Sequence, residues 1–298
     1  MSYTTTEFIT NVKKRSGMPT SQATFSVQNM LAFADAELRS FVVPLVMKAQ
    51  EFYYAFDVDT ALNSTGVYEI PSRAIGGKLV NVALVDGDTR RDVNWITEDH
   101  LTRYDQTDLG KPGVYLKRNQ LYLVPADGNN SSKLRLTIII RPGQLVETTE
   151  CAQITGIDKT TGTLTFDVGS IPSTFIPGKK LDFIQAEPHF DHVEIDKIPT
   201  QITSTTLVFD SLSDRLQVGD WASLANQSCV IQCPVELHGM LEQATANTIL
   251  RAQGDLEKLK SGEEKLQQIY QTTINTYNPR IEAEGKKITN RSRILRRF

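Results

Sequence analysis

The hydrophobic period changes twice along this 298-residue chain, and those changes limit the folds open to it. Near the start, Val27, Met30, Leu31, Ala34, Leu38, Phe41 and Val42 recur at helical spacing. Near the end, Leu237, Leu241, Ala244, Thr248, Ala252, Leu256, Leu259, Leu266 and Ile269 do the same. Between Ala61 and Cys233 the pattern is extended: short runs rich in Val, Ile, Leu, Thr and Tyr, separated by turn residues. The expected class is therefore α+β. Helices from both ends form one platform, with Leu31, Leu38, Phe41, Leu237, Leu241 and Leu259 as packing residues, and a large antiparallel β region of barrel or sandwich type is inserted between them. The two ends of the insertion must then lie close in space. The expected divisions are 1–60 (first helical part), 61–145 (β region), 146–233 (second β unit), 234–274 (long C-terminal helix) and 275–298 (extended basic arm).

Local signals refine this plan. A short helix is expected from Thr6 to Arg15, ended by Gly17 and Pro19, and Ser26 is a suitable N-cap for the next. Pro44 removes a helical hydrogen bond and clashes with the preceding turn, so either a kink or two helices meeting near Val43 is expected. Leu45 to Tyr54 then reads as helix, with Phe52, Tyr53, Tyr54 and Phe56 packing on the C-terminal helix. Strands are expected at 67–70, 79–85, 114–117, 121–124 and 134–140, with a helical turn from Thr97 to Tyr104. In the second β unit, Gln153-Ile-Thr-Gly, Thr163-Leu-Thr-Phe-Asp and Pro177-Gly-Lys-Lys-Leu-Asp-Phe-Ile are echoed by Gln201-Ile-Thr-Ser, Thr206-Leu-Val-Phe-Asp and Val218-Gly-Asp-Trp-Ala-Ser-Leu. The echo reads as an internal repeat or as chance similarity between hairpins. Pro234 suits the first position of the C-terminal helix, which Gly254 and Gly262 weaken. Its polar residues, Glu242 and Gln243 among them, should be wet.

Asn278-Pro279 ends any helix. The tail beyond carries Arg280, Lys286, Lys287, Arg291, Arg293, Arg296 and Arg297 against Glu282 and Glu284, while the whole chain has a formal charge of −3. Ile281, Ile288, Ile294, Leu295 and Phe298 are interleaved with those cations. Three readings stay open: a frayed terminus, an arm that orders on a partner, and a nucleic-acid arm. The modest acidity of the chain argues against a general nucleic-acid binder. No apolar run reaches the length of a membrane span, and no secretory signal opens the chain. Cys151, Cys229 and Cys233 are an odd set, which points to a reducing compartment at synthesis.

The search for reactive constellations finds none with the required spacing. Ile75-Gly-Gly-Lys-Leu lacks the earlier glycine and the Ser/Thr of a phosphate loop, and Glu236-Leu-His238 lacks the second histidine of a zinc-protease helix. His189, Asp191 and His192 offer metal-ligating chemistry without a second anchored pair, so the segment reads as a polar loop. Cys229 and Cys233 would need two further ligands to hold zinc and read instead as small buried hydrophobes. Asp57/Asp59 and Asp86/Asp88 read as turn carboxylates. No enzyme, metal or cofactor is expected.

A set of motifs along nearly the whole chain resembles the head-to-tail adaptor (connector) proteins of short-tailed bacteriophages. They are Ala36-Glu-Leu-Arg-Ser-Phe-Val-Val-Pro-Leu-Val-Met, Ile70-Pro-Ser-Arg-Ala-Ile-Gly-Gly-Lys-Leu, Gly113-Val-Tyr-Leu, Ile171-Pro-Ser-Thr-Phe, Gly219-Asp-Trp-Ala, Cys233-Pro-Val-Glu-Leu-His, Asn278-Pro-Arg, Lys286-Lys-Ile and Asn290-Arg. The resemblance implies a virion structural protein at the head–tail junction, assembled in the host cytoplasm. It implies a homo-oligomeric ring of twelve copies that joins the portal protein to the tail nozzle and surrounds the packaged DNA without reading its sequence. Tail fibres are a further partner it leaves open. The matching portal-binding arm would comprise Tyr277, Pro279, Arg280, Lys286, Lys287, Ile288, Asn290, Arg291, Arg293, Ile294, Arg296, Arg297 and Phe298. The large β insertion departs from the smallest, mostly helical members of that class. Two other readings remain: a nozzle or fibre-attachment subunit, and a soluble binding module whose basic tail touches nucleic acid.

Overall fold

The computed structural model describes residues 3–19, 24–97, 112–126 and 132–277. The expected helical turn at Thr97–Tyr104 falls, but for Thr97, outside them. The first helix, α1 (Thr5–Ser16), opens on a capping box between Thr4 and Glu7 and stops at Gly17. Helix α2 (Val27–Glu37) opens on Ser26, whose hydroxyl accepts from the Asn29 N–H at 3.1 Å. Pro44 has no N–H to continue the ladder, and the chain meets this with a π-helical segment, Leu38–Val42, in which the Val43 N–H reaches the Leu38 carbonyl. Helix α3 (Val43–Ala49) follows. It stops short of the expected Tyr54. The chain turns at 50–54 and is already in strand β1 (Ala55–Ala61), so the helix-to-strand boundary comes earlier than the sequence indicated.

The first β unit continues with β2 (Val67–Glu69), β3 (Ala74–Asp86), β4 (Thr89–Asp92), β5 (Asn94–Trp95), β6 (Gly113–Lys117), β7 (Gln120–Val124) and β8 (Lys133–Ile140). Two four-stranded sheets, ordered β1-β8-β3-β4 and β2-β7-β6-β5, enclose a core built on Tyr68, Val82, Leu121, Leu134, Leu136 and Ile138. In β8 the alternation is regular until Ile138. Ile139 and Ile140 are then buried together and enter the helical core, so this strand belongs to both. Asp57 and Asp59 lie on β1 and not in a turn: the Arg135 guanidinium donates to both oxygens of Asp59, at 2.7 and 2.8 Å, and holds that carboxyl below its usual range.

The second unit contains β9 (Gln144–Leu145), β10 (Ala152–Asp158), β11 (Thr163–Phe166), β12 (Leu181–Ile184), β13 (His192–Lys197), β14 (Gln201–Ile202), β15 (Thr206–Val208), β16 (Trp221–Leu224) and β17 (Gln227–Ser228). Seven of these strands run in the order β13-β12-β16-β10-β11-β15-β14. Only residues 198–200 separate β13 from β14, which stand at the two ends of that order, so the sheet must curl until its edges meet at that end, as in a small barrel, although no ladder joins β13 to β14. The register carries the sequence echo. Leu164 pairs with Leu207, its own counterpart, flanked by Thr163↔Val208 and Thr165↔Thr206. Likewise Asp182 pairs with Ser223, flanked by Leu181↔Leu224 and Phe183↔Ala222. Both pairs lie where a two-fold pseudo-axis relating the halves would pass. Phe166, Phe175, Phe183, Phe209 and Leu216 fill the interior.

Two helices complete the platform, α4 (Val235–Gln253) and α5 (Leu256–Tyr277). The single long helix expected over 234–274 is thus broken: Gly254, at φ +76°, caps α4 in the left-handed region that a side chain would disfavour. Pro234 is the N-cap of α4, one residue before its expected place. Leu256 is 74 % exposed and Ala252 is also exposed, so the expected stripe does not run across the break. Helix α4 is packed by α1, α2 and α5, and twelve of its nineteen residues are buried.

The α4–α5 contact depends on a glycine. A Cβ on Gly262 would stand 2.3 Å from the Asn247 Oδ1, an atom buried and bonded to the Gln243 amide at 3.0 Å. A Cβ on Gly239 would meet only the Arg15 guanidinium, at 3.5 Å. The same substitution should therefore act with opposite sign at the two sites. Gly262→Ala should lower stability by about 1–3 kcal/mol through overpacking, while Gly239→Ala should raise it by about 0.5–1 kcal/mol through helix propensity. Urea denaturation midpoints would check both.

Candidate interaction surface

The residues expected to pack the platform are all placed in it. Leu31, Leu38, Leu237 and Leu241 are buried in its core with Phe8, Val12 and Met30, Leu259 is also buried, and Phe41 is half-buried and stacks on Tyr270 at 5.8 Å. They pack within the chain's own fold, with one side of Phe41 left open. Of the arm, Tyr277 is the last residue of α5, and Pro279, Arg280, Lys286, Lys287, Ile288, Asn290, Arg291, Arg293, Ile294, Arg296, Arg297 and Phe298 lie outside the described residues.

Beneath the surface the sequence reading missed a polar network. Glu242 and Gln243, expected to be wet, are only 5 % and 2 % exposed, because α4 has neighbours on several sides. The Glu242 carboxylate accepts from the Tyr3 hydroxyl, from the Asn11 amide at 2.8 Å and from the Arg15 Nε at 2.7 Å. Burial and that carboxylate hold the Tyr3 hydroxyl well above the usual phenol range. Tyr3 also stacks on His238 at 4.5 Å, and the His238 ring shares a 3.0 Å hydrogen bond with the Cys233 carbonyl. The sequence holds no local sign of this network, since its partners are more than two hundred residues apart.

A second ion pair joins the β units. Arg73, between β2 and β3, reaches the fully buried Asp182 of β12 with both terminal nitrogens and gives its Nε to the Asn226 side chain at 2.6 Å. The remaining lone pairs of Asp182 accept the backbone N–H groups of Asp196 and Asn226 at 3.0 and 2.8 Å. This is a satisfied buried charge, the condition under which such a pair is tolerated.

The surface left to partners is divided. On α5, Glu257, Lys258, Lys260, Glu263, Glu264 and Lys265 are exposed, and Arg251 of α4 meets Glu263 at 3.1 Å. On the β units, Trp95, Leu116, Ile176, Ile198, Val168 and Val218 are the large apolar side chains most open to solvent, with Val168 at 90 %. Phe52, expected to pack on the C-terminal helix, is 62 % exposed; Tyr54 is buried instead and donates to the Gln232 carbonyl at 3.0 Å. A cavity of about 260 Å³ lies between α1 and residues 147–149, walled by Thr6, Thr10, Lys13 and Thr148.

His189, Asp191 and His192 are not gathered into a ligand set. His192 is buried at the start of β13, and the His189 carbonyl accepts from the Tyr53 hydroxyl at 3.2 Å. Among the described residues no group of three His, Cys, Asp or Glu side chains could hold a metal ion, and no helix is long and apolar enough to cross a membrane. Cys151, Cys229 and Cys233 are free thiols and all buried. Comparison with protein-family models and with curated proteins gives no match.

The Glu242 network fixes the N-terminal segment to α4, so its loss should release α1 first. Glu242→Ala leaves Arg15, Asn11 and Tyr3 without their acceptor and should cost about 2–4 kcal/mol. Hydrogen exchange should show protection falling across residues 5–16 before α4 itself opens. Uniform loss across the platform would contradict this order.

Proposed function

We propose that this chain is a structural virion protein, a head-to-tail adaptor whose copies close into a ring of twelve between a portal protein and a tail nozzle, around packaged DNA. The observation that carries the reading is how the chain is divided. Both ends build a single helical platform around α4, and the strongly basic segment 278–298 follows α5 in the sequence. The motif resemblance agrees in order along the chain. No reactive constellation competes with a structural role among the described residues.

The physics of the role is consistent with the layout. A ring contact is heterologous: one face of each copy meets a different face of the next, and rotation closes the set. A rigid platform stapled by Glu242 suits that task better than a mobile one. Segment 278–298 carries seven cations against two carboxylates and spaced apolar residues, a composition that docks on a partner through arginine–carboxylate pairs and apolar pockets. Several such arms on one ring act together, so a weak single contact becomes a durable attachment. The β units would face a distal partner, the nozzle or tail fibres.

Deleting residues 278–298 should leave a folded protein, unchanged in far-UV circular dichroism, that no longer joins portal-bearing heads in an assembly assay. Attachment by the shortened chain would refute the arm's role. The free protein should also bind DNA weakly, with affinity falling steeply as salt is raised and with no preferred sequence.

A further inference from the structure

The barrel meets the helical platform at a joint built around Phe190. This side chain is 1 % exposed and lies in a cluster with Cys151, Ile184, Trp221, Cys229 and Val230. Its backbone holds φ at +56°, a conformation that a bulky residue adopts only under constraint. Two histidines flank it. His238 of α4 lies 5.4 Å away, ring to ring, on the platform side. His192, two residues along the chain, opens β13 on the barrel side; neither ring nitrogen makes a hydrogen bond of normal geometry, and the acceptor that acts on the ring is the Arg141 carbonyl. The space beside His192 is a cavity of about 30 Å³, walled by Tyr54, Phe56, Ile140, Asp191 and Arg215. That is room for about one water and far too little to hydrate an imidazolium.

We infer that this joint is an acid-sensitive hinge: protonation of His192 and His238 expels the Phe190 wedge and frees the barrel from the platform, while each keeps its own core. The inference stands on the joint alone and does not depend on the adaptor reading. The barrel can survive release because Phe166, Phe175, Phe183 and Leu216 form a core separate from that of the helices. The charged groups around the two rings set the balance. Asp182 favours the charged form of His192, and Arg73, which is paired with Asp182, opposes it. The Arg141 carbonyl favours protonation, and Asp191 and Arg215 stand across the cavity. Around His238, Glu236, Glu242 and the carbonyls of Cys233 and Ile231 favour protonation, while burial opposes it.

Burial prevails at both rings: it holds His192 down at about 4 and His238 below the ordinary imidazole range. A histidine with a depressed folded pKa stabilises the docked state fully above its unfolded value of about 6.5, and that contribution is lost as pH falls toward the folded value. The opening equilibrium should then rise by about tenfold per pH unit for each histidine that must charge.

The joint contains its own reporters. Cys151 and Cys229 are buried in the Phe190 cluster, whereas Cys233 is buried in the helical core. Labelling the full chain with a dithiodipyridine, which reacts in acid, should find three protected thiols at pH 7.5. Between pH 6.5 and 4.5, two should become reactive, and peptide mapping should identify them as Cys151 and Cys229, with far-UV circular dichroism unchanged. The variant His192→Gln with His238→Gln should keep those thiols protected to a pH about one unit lower. The inference is overturned if all three thiols react together, if none does, or if the double variant opens at the wild-type pH. Should the variant not fold, NMR titration of wild-type histidines decides alone. Protonation of His192 and His238 must coincide with thiol exposure, and two rings that titrate at about 6.5 while the thiols stay protected would refute the hinge.

Discussion

A carboxylate that is almost out of water at the centre of a helical core sets the terms for the rest of this structure. Glu242 is carried by α4, and α4 has α1, α2 and α5 around it. A buried unpaired charge would cost several kcal/mol, so the chain must bring compensating groups to it. All three come from the N-terminus: Tyr3, Asn11 and Arg15. The two ends of the chain are thus tied by charge as well as by apolar packing. The same N-terminal stretch then reaches the strands at the base of the barrel, where the Thr5 N–H bonds the Cys229 carbonyl at 2.8 Å and its hydroxyl bonds the Val146 carbonyl at 2.8 Å. Platform closure and barrel anchoring are therefore one construction.

The barrel shows how a near-symmetric unit is fitted to an asymmetric place. Its halves pair through Leu164–Leu207 and Asp182–Ser223. At the first pair the symmetry is kept, because both leucines face one apolar interior. At the second it is broken. Asp182 takes Arg73 from the other β unit, while Ser223 is buried and gives its hydroxyl to the Gln227 carbonyl at 2.6 Å. The difference between the halves falls where one of them meets the neighbouring unit, as docking would require of a repeat that must present only one face.

What the sequence made legible follows from the range of the interactions concerned. Strands at 114–117, 121–124 and 134–140, the caps at Ser26 and Gly17 and the interruption at Pro44 are set by neighbours a few residues away, and each is found close to its expected place. The α+β class follows from the same periods. The failures are non-local. Helical periodicity assigns Glu242 and Gln243 to water only if a helix has one buried side, and α4 has several. Residues 55–60 fall within the span expected to be helical, and Asp57 and Asp59 in an expected turn, because the alternation of Phe56, Val58 and Thr60 with those aspartates is only half-buried, and it is Arg135 and Thr137 on β8 that give the aspartates their reason to be on a strand. Gly254 was legible as a weak point but not as a cap, since α5 must fold back before the left-handed turn is useful.

The candidate surface divides along the same line. The packing leucines were readable because burial on a helix has a period. The Phe190 joint was not, because its wedge, its two histidines and its two thiols come from separate stretches, at 151, 190–192, 229 and 238, that only the closed fold assembles. That joint also explains why the barrel can be both anchored and separable. Its apolar cluster is distinct from the helical core and meets it through Tyr3, and the aromatic interior of the barrel is separate again. The Arg73–Asp182 pair ties the barrel to the first β unit independently of that joint, so opening the joint leaves this second attachment in place.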